Sequence, residues 1–143
     1  MSSRFTMIVA VHLFLFDGER VLLARRYNTG YEDGKFSVPA GHVEEGESSV
    51  QAMVREAREE IGLTLDPGKL LLAHVMHRKT NRESLDLFFQ YHLEAQTPQI
   101  CEPDKCDLLT WSLIGDLPTN TILYIYQALE CVSHGQMYSD LGF

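Results

Sequence analysis

The segment from Ser48 to Gly62 constrains the fold more than any other stretch of this sequence. Val50, Met53, Val54, Ala57 and Ile61 recur at three- and four-residue spacing, which gives a helix one apolar stripe to bury. Ser48, with Gln51 three residues on, has the form of a capping box, and Gly62 is placed to end the helix. Opposite the stripe stand Glu56, Glu59 and Glu60. At these spacings the side chains are neighbours, and like charges repel by roughly a few tenths of a kcal/mol per exposed pair. They also lie in the second half of the helix, where the dipole disfavours negative charge. A hard divalent cation reverses both penalties: magnesium takes oxygen ligands and is held by a few carboxylates together with water and substrate phosphates. A solvated acidic face with chance ion pairs is the competing reading.

The rest of the chain supplies strands for such a helix to cover. Phe5 to Phe16 is apolar and rich in branched residues, and Asp17-Gly18 then turns the chain into a second strand pattern at Val21 to Ala24, predicting a hairpin. Tyr27 to Gly34 reads as loop, and Phe36 to Val38 as a short strand ended by Pro39. Leu70 to Met76 and Leu85 to His92 read as two strands joined by the polar turn Lys79 to Glu83. A loop from Glu94 to Lys105 leads to a strand around Leu108 to Leu113 and a last helix over Thr121 to Ser133. Strands, helix, strands, helix is the order of a mixed-sheet α/β domain, and 143 residues fit one domain over positions 1–143.

Twenty acids against twelve bases give a net charge of −8, which argues against a nucleic-acid backbone as partner. A small anionic substrate stays compatible, because bound metal inverts the local field. The longest apolar run, Met7 to Phe16, is too short to span a bilayer, and the first residues lack the marks of a secretory signal. Cys101, Cys106 and Cys131 form neither an even disulfide set nor a zinc pattern, so they read as reduced thiols of a cytoplasmic protein.

The acidic helix belongs to a longer pattern: Gly41, five residues, Glu47, seven residues, then Arg55-Glu56-Ala57-Arg58-Glu59-Glu60-Ile61-Gly62-Leu63. Arg55 is placed to orient Glu59 or to reach back to Glu47 with a planar, two-point grip. Gly41 and Gly46 suggest a tight loop that brings Glu47 and the backbone near the metal face. The whole segment resembles the Nudix box, with Gly41, Glu47, Arg55, Glu56, Glu59, Glu60 and Gly62 all in place and Ala57 standing where a larger aliphatic is usual. The resemblance implies the Nudix fold, a mixed β-sheet sandwiched between helices (α/β/α). It implies a metal site of Glu56, Glu59 and Glu60 with Gly41, occupied by Mg2+ or Mn2+. Glu47 and Arg55 become structural partners within the catalytic set; which carboxylate accepts the proton varies within the family, and Glu59 is the expectation here. The implied reaction is cleavage of a nucleoside diphosphate linked to a group X, and members often form homodimers.

Outside this motif the sequence is less specific. Glu102-Pro103-Asp104-Lys105-Cys106, with Leu109 and Trp111, resembles a stretch of Nudix enzymes that cleave nucleoside triphosphates. That makes Glu102 a further ligand or base and Trp111 a surface for stacking a base, against the readings of a solvated acid and a core residue. Arg26, or its neighbour Arg25, is a candidate phosphate contact, only one of the two facing the site if the strand alternates, and Lys79 is another. His42 is a candidate for lining the site, whereas His12, in an apolar strand, reads as a satisfied core residue. His74 and His77, three apart on a strand, fall on opposite faces. The leading expectation is a magnesium-dependent pyrophosphohydrolase of a nucleoside triphosphate or modified triphosphate. ADP-ribose, dinucleoside polyphosphates and sugar nucleotides stay open as substrates, as do a nucleotide-sensing domain without turnover and an RNA 5′-end hydrolase.

Overall fold

The structure is a computed structural model and describes residues 3–143. Its centre is β1 (Ile8–Asp17), whose alternate residues serve two different cores. Val11, Leu13 and Leu15 join Ala52, Met53, Ala57 and Ile61 of the first helix, α1 (Ser49–Ile61). Phe14 and Phe16 join Tyr124, Ile125, Ala128 and Leu129 of the second helix, α2 (Leu123–Ser133). A strand buried on both faces reads as a continuous apolar run, as β1 does. The result is one mixed sheet with a helix on each face, the α/β/α arrangement expected.

Around β1 stand β2 (Arg20–Arg26), β3 (Phe36–Ser37), β4 (Ala40–His42), β5 (Leu71–Lys79), β6 (Glu83–His92), β7 (Cys106–Leu113) and β8 (Tyr138–Leu141). The main order is β3-β2-β1-β6-β5-β8, with β4 on β1 and β7 on β2. β1 runs parallel to β6 from Ile8↔Ser84 to Phe16↔His92. On its other edge β1 changes partner: Ala10 to His12 pair with β4, whereas Phe16 and Asp17 pair with β2. The two partners part between these points.

Capping follows the sequence. The Ser48 hydroxyl accepts from the Gln51 N–H at 3.1 Å, and the Gln51 side chain accepts from the Ser48 N–H at 2.9 Å. Gly62 closes α1 in the left-handed conformation at φ 71°. Two strands escape the sequence reading. β4 has three residues centred on a glycine and carries no alternation to detect. β8 is held by tertiary contacts: His74, fully buried on β5, meets the Gln136 carbonyl at 2.7 Å and the Ser139 hydroxyl at 2.8 Å. α2 begins at Leu123 rather than Thr121, because the Ile122 N–H donates to the Phe36 carbonyl and keeps the chain extended one step longer.

His12 departs from the satisfied core residue expected. Its Nε2 meets Asp86 at 3.2 Å, but its Nδ1 is buried with no partner. Asp86 is fully buried and also accepts from Arg78 Nε at 2.8 Å, while the Arg78 guanidinium lies 3.7 Å from the Tyr124 ring centroid. Burial pushes the Asp86 carboxyl up, but hydrogen bonds and charge from His12 and Arg78 outweigh it and hold the group below its ordinary value. Among the described residues no helix is long and apolar enough to cross a membrane.

Because the folded-state pKa of Asp86 is depressed, its stabilisation is present above the unfolded value, about 3.9, and is lost as pH falls through the folded value. Asp86→Ala strands Arg78 and is expected to cost about 3–5 kcal/mol in urea unfolding at pH 7. The difference from wild type should shrink as the solution is acidified below about pH 4.

Candidate active site

Arg55 ties the loop after β4 to the helix that follows it. Its Nε and Nη2 donate to the two oxygens of Glu47 at 2.7 and 3.0 Å, and Nη2 also reaches the His42 carbonyl at 3.1 Å. Its Nη1 donates to Glu56 at 2.8 Å and to Glu59 at 3.3 Å. Both alternatives raised by the sequence, orienting Glu59 and reaching back to Glu47, are realised by one guanidinium. The grip on Glu47 holds that carboxyl below its ordinary value.

The three acidic residues of α1 divide. Glu56 is 14% exposed and its carboxyl lies against Gly41, where any side chain would collide with it. Gly41 is therefore required for space, not for its backbone angle. Glu60 is part-buried, and its Oε2 accepts from the Ala40 N–H at 3.0 Å. The Glu56 and Glu60 carboxyls influence each other's protonation. Burial first, and then the charge of Glu56, push Glu60 well above the usual carboxylate range; burial likewise raises Glu56. Glu59 is 52% exposed and turns toward Arg55. As placed, no three His, Cys, Asp or Glu side chains among the described residues converge to enclose a metal. Two crowded, protonation-prone carboxylates nonetheless form a donor set that a hard divalent cation fits, with water and substrate completing its shell.

Beside Glu60 opens a cleft of about 280 Å³, where β2 and β4 part. Its walls include Ala24, Arg25, Arg26, Thr29, Val38, Ala40, Glu60, Glu102, Lys105 and Leu109. The Cys101 N–H donates to the Glu60 carbonyl at 3.1 Å, and the Gln99 N–H donates to the Ile61 carbonyl at 3.0 Å. These bonds fasten the Glu102 loop to the end of α1 and set Glu102 in the cleft with Glu60. Both Arg25 and Arg26 line it, against the strict alternation expected, because the β2–β7 register shifts between them.

Two candidates lie elsewhere. Trp111 sits opposite Leu22 on β7 and packs against the α1-side core; it does not line the cleft. The His42 side chain is exposed on β4 and also stays out of the cleft, so its contribution here is its carbonyl. Lys79 ends β5, outside the cleft lining. Thr29 and Lys105, which the sequence reading passed over, are cleft residues. A solvated Asp/Lys turn gave no sign of this, since the contact depends on how β7 docks on β2.

The NUDIX domain profile matches residues 6–128. The chain belongs to the Nudix family. It is 30% identical over 99 residues to Nudix hydrolase 5 of Arabidopsis thaliana, covering 68% of this chain and 33% of that protein. Against the CTP pyrophosphohydrolase of Escherichia coli (strain K12) it is 35% identical over 68 residues, 48% of this chain and 50% of that one. Among solved structures, a MutT NUDIX hydrolase from Burkholderia pseudomallei superposes with TM-score 0.80 at 26% identity, covering 88% of this chain and 98% of the other. The chain spans a third to a half of the length of these curated relatives.

Within this Nudix domain, Gly62 couples helix termination to the placement of Glu102. A Cβ there would stand 3.2 Å from Cys101 Sγ, on a backbone at φ 71°. Gly62→Ala is expected to cost about 1–2 kcal/mol in urea unfolding, from the left-handed backbone alone.

Proposed function

We propose that this chain hydrolyses the diphosphate of a nucleoside diphosphate linked to a group X, with a nucleoside triphosphate or modified triphosphate as substrate. The observation that carries the reading is the crowding of Glu56 and Glu60 against Gly41 and Ala40 at the mouth of a cleft edged with cations. Each of those carboxyls is costly as a neighbour of the other and becomes favourable beside a divalent ion. When bound, Mg2+ or Mn2+ would neutralise phosphoryl charge and lower the pKa of a bound water.

The chain's own residues then have distinct tasks. Glu56 and Glu60, with the Gly41 backbone, hold the ion. Arg55 and Glu47 keep Glu56 in place. Glu59, exposed and held by one long bond, is the carboxylate free to accept a proton from the attacking water. Arg26 lines the cleft but is held by the Tyr31 carbonyl and the Thr29 hydroxyl, and Glu102 adds a further acid to the lining. The family membership and the named activity of the similar CTP pyrophosphohydrolase support a nucleotide substrate. The intact carboxylate set favours turnover over sensing.

Incubation with a panel of nucleotides and magnesium, followed by phosphate or pyrophosphate release, tests this. Turnover should vanish with chelator. Glu59→Gln should lower kcat by about 10²–10⁴-fold with an unchanged circular dichroism spectrum. Tight nucleotide binding without product across the panel would replace the reading with a sensor.

A further inference from the structure

Three cationic residues line the cleft, and the protein has already occupied two of them. Arg25 spends its guanidinium on both oxygens of Asp107, at 2.8 and 3.2 Å. Arg26 donates to the Tyr31 carbonyl at 2.6 Å and to the Thr29 hydroxyl at 3.0 Å, and lies 5.3 Å from the Tyr31 ring centroid. Lys105 differs from both. Its ammonium has no hydrogen-bond or ion-pair partner among the described residues, although Glu60 and Glu102 line the same cleft. Of the other lysines, Lys35 meets Glu32 at 2.7 Å and Lys69 meets Glu94 at 2.9 Å, while Lys79 stands exposed at the end of β5, away from the cleft. In a chain with twenty acids and twelve bases, a cleft lysine left unpaired is available to something else.

Its mounting is fixed even though its side chain is free. The Lys105 N–H donates to the Glu102 carbonyl at 2.9 Å, and the Lys105 carbonyl accepts from the Tyr27 N–H at 2.9 Å. The residue is thereby pinned between the Glu102 loop and the end of β2, in the cleft that Glu60 also lines. A compact ammonium on a flexible stem suits a terminal phosphate, which presents charge in several directions, better than it suits a planar carboxylate.

We infer that Lys105 takes the free phosphate end of the substrate, so that the group X selected by this cleft is itself phosphoryl and not a sugar. The inference rests on the hydrolase reading and deepens it. A nucleoside triphosphate carries more negative charge than one divalent ion neutralises, and Lys105 meets the remainder. A sugar at X carries no charge there and would leave the ammonium without a partner. Lys105 is a positioning residue in this account: it fixes the substrate's end and moves no proton.

The test compares wild type, Lys105→Met and Lys105→Arg on a nucleoside triphosphate and on a nucleoside diphosphate sugar, with magnesium. Lys105→Met should raise KM for the triphosphate about tenfold, the effect of losing one charge-assisted contact, with kcat changed less than about twofold and the sugar substrate unaffected. Lys105→Arg should restore most of the loss. An unchanged KM for the triphosphate, an equal rise on both substrates, or no recovery with arginine would overturn the inference. A second arm needs no turnover: calorimetry with magnesium tripolyphosphate should show about tenfold weaker binding to Lys105→Met. If wild type cleaves neither nucleotide, the hydrolase reading fails, and this arm alone decides Lys105: equal binding by both proteins overturns its role.

Discussion

The meeting of Glu56 and Glu60 with the backbone of Ala40 and Gly41 is the constraint on which the site depends. α1 packs its apolar stripe on the face of β1 that carries Val11 and Leu13, and Gly41 pairs directly with Val11. That register sets the Glu56 and Glu60 carboxylates against β4. The contact is tolerable because residue 41 has no side chain and because the Ala40 N–H points at Glu60. Burial raises the proton affinity of both acids, and the charge of Glu56 raises that of Glu60 further; the same crowding suits a hard cation. Fold and proposed chemistry therefore share one cause.

Arg55 makes the arrangement durable. It bridges Glu47, the His42 carbonyl, Glu56 and Glu59, so the loop after β4 cannot shift without moving the helix acids. The cleft beside these acids comes from a separate decision in the sheet. β1 hands its edge from β4 to β2, and the space where they part is roofed by the Glu102–Lys105 turn. Glu60 thus arrives from the helix, Arg25 and Arg26 from β2, and Glu102 with Lys105 from the turn.

The sequence was most legible where local chemistry is self-sufficient. The capping box at Ser48, the stop at Gly62 and the buried strand before Asp17 each carry their own signal, and each appears in place. The spacing of the box residues announced the family, and the residue types offered Arg55 two partners, Glu47 and Glu59, both of which it meets. Legibility ended where position depends on distant partners. β4 and β8 are strands only because β1 and β5 offer them edges. Arg25 and Arg26 share a cleft only because of a register shift that no alternation pattern shows. Trp111 looked suited to stacking a base, yet β7 lays it, partly buried, against the core beside α1, and Lys105, just before β7, lines the cleft. The division among the acids was equally invisible: three glutamates at helical spacing look equivalent, and only the approach of β4 separates two from the third.

Manganese binding followed by electron paramagnetic resonance tests the central claim most directly, since it reads the ion itself and needs no substrate. The account predicts that wild type captures the ion, that Glu56→Gln and Glu60→Gln each weaken capture at least about tenfold, and that Glu130→Gln on α2 leaves it unchanged. Failure of the wild-type protein to hold manganese, or equal binding when both Glu56 and Glu60 are replaced, would contradict it.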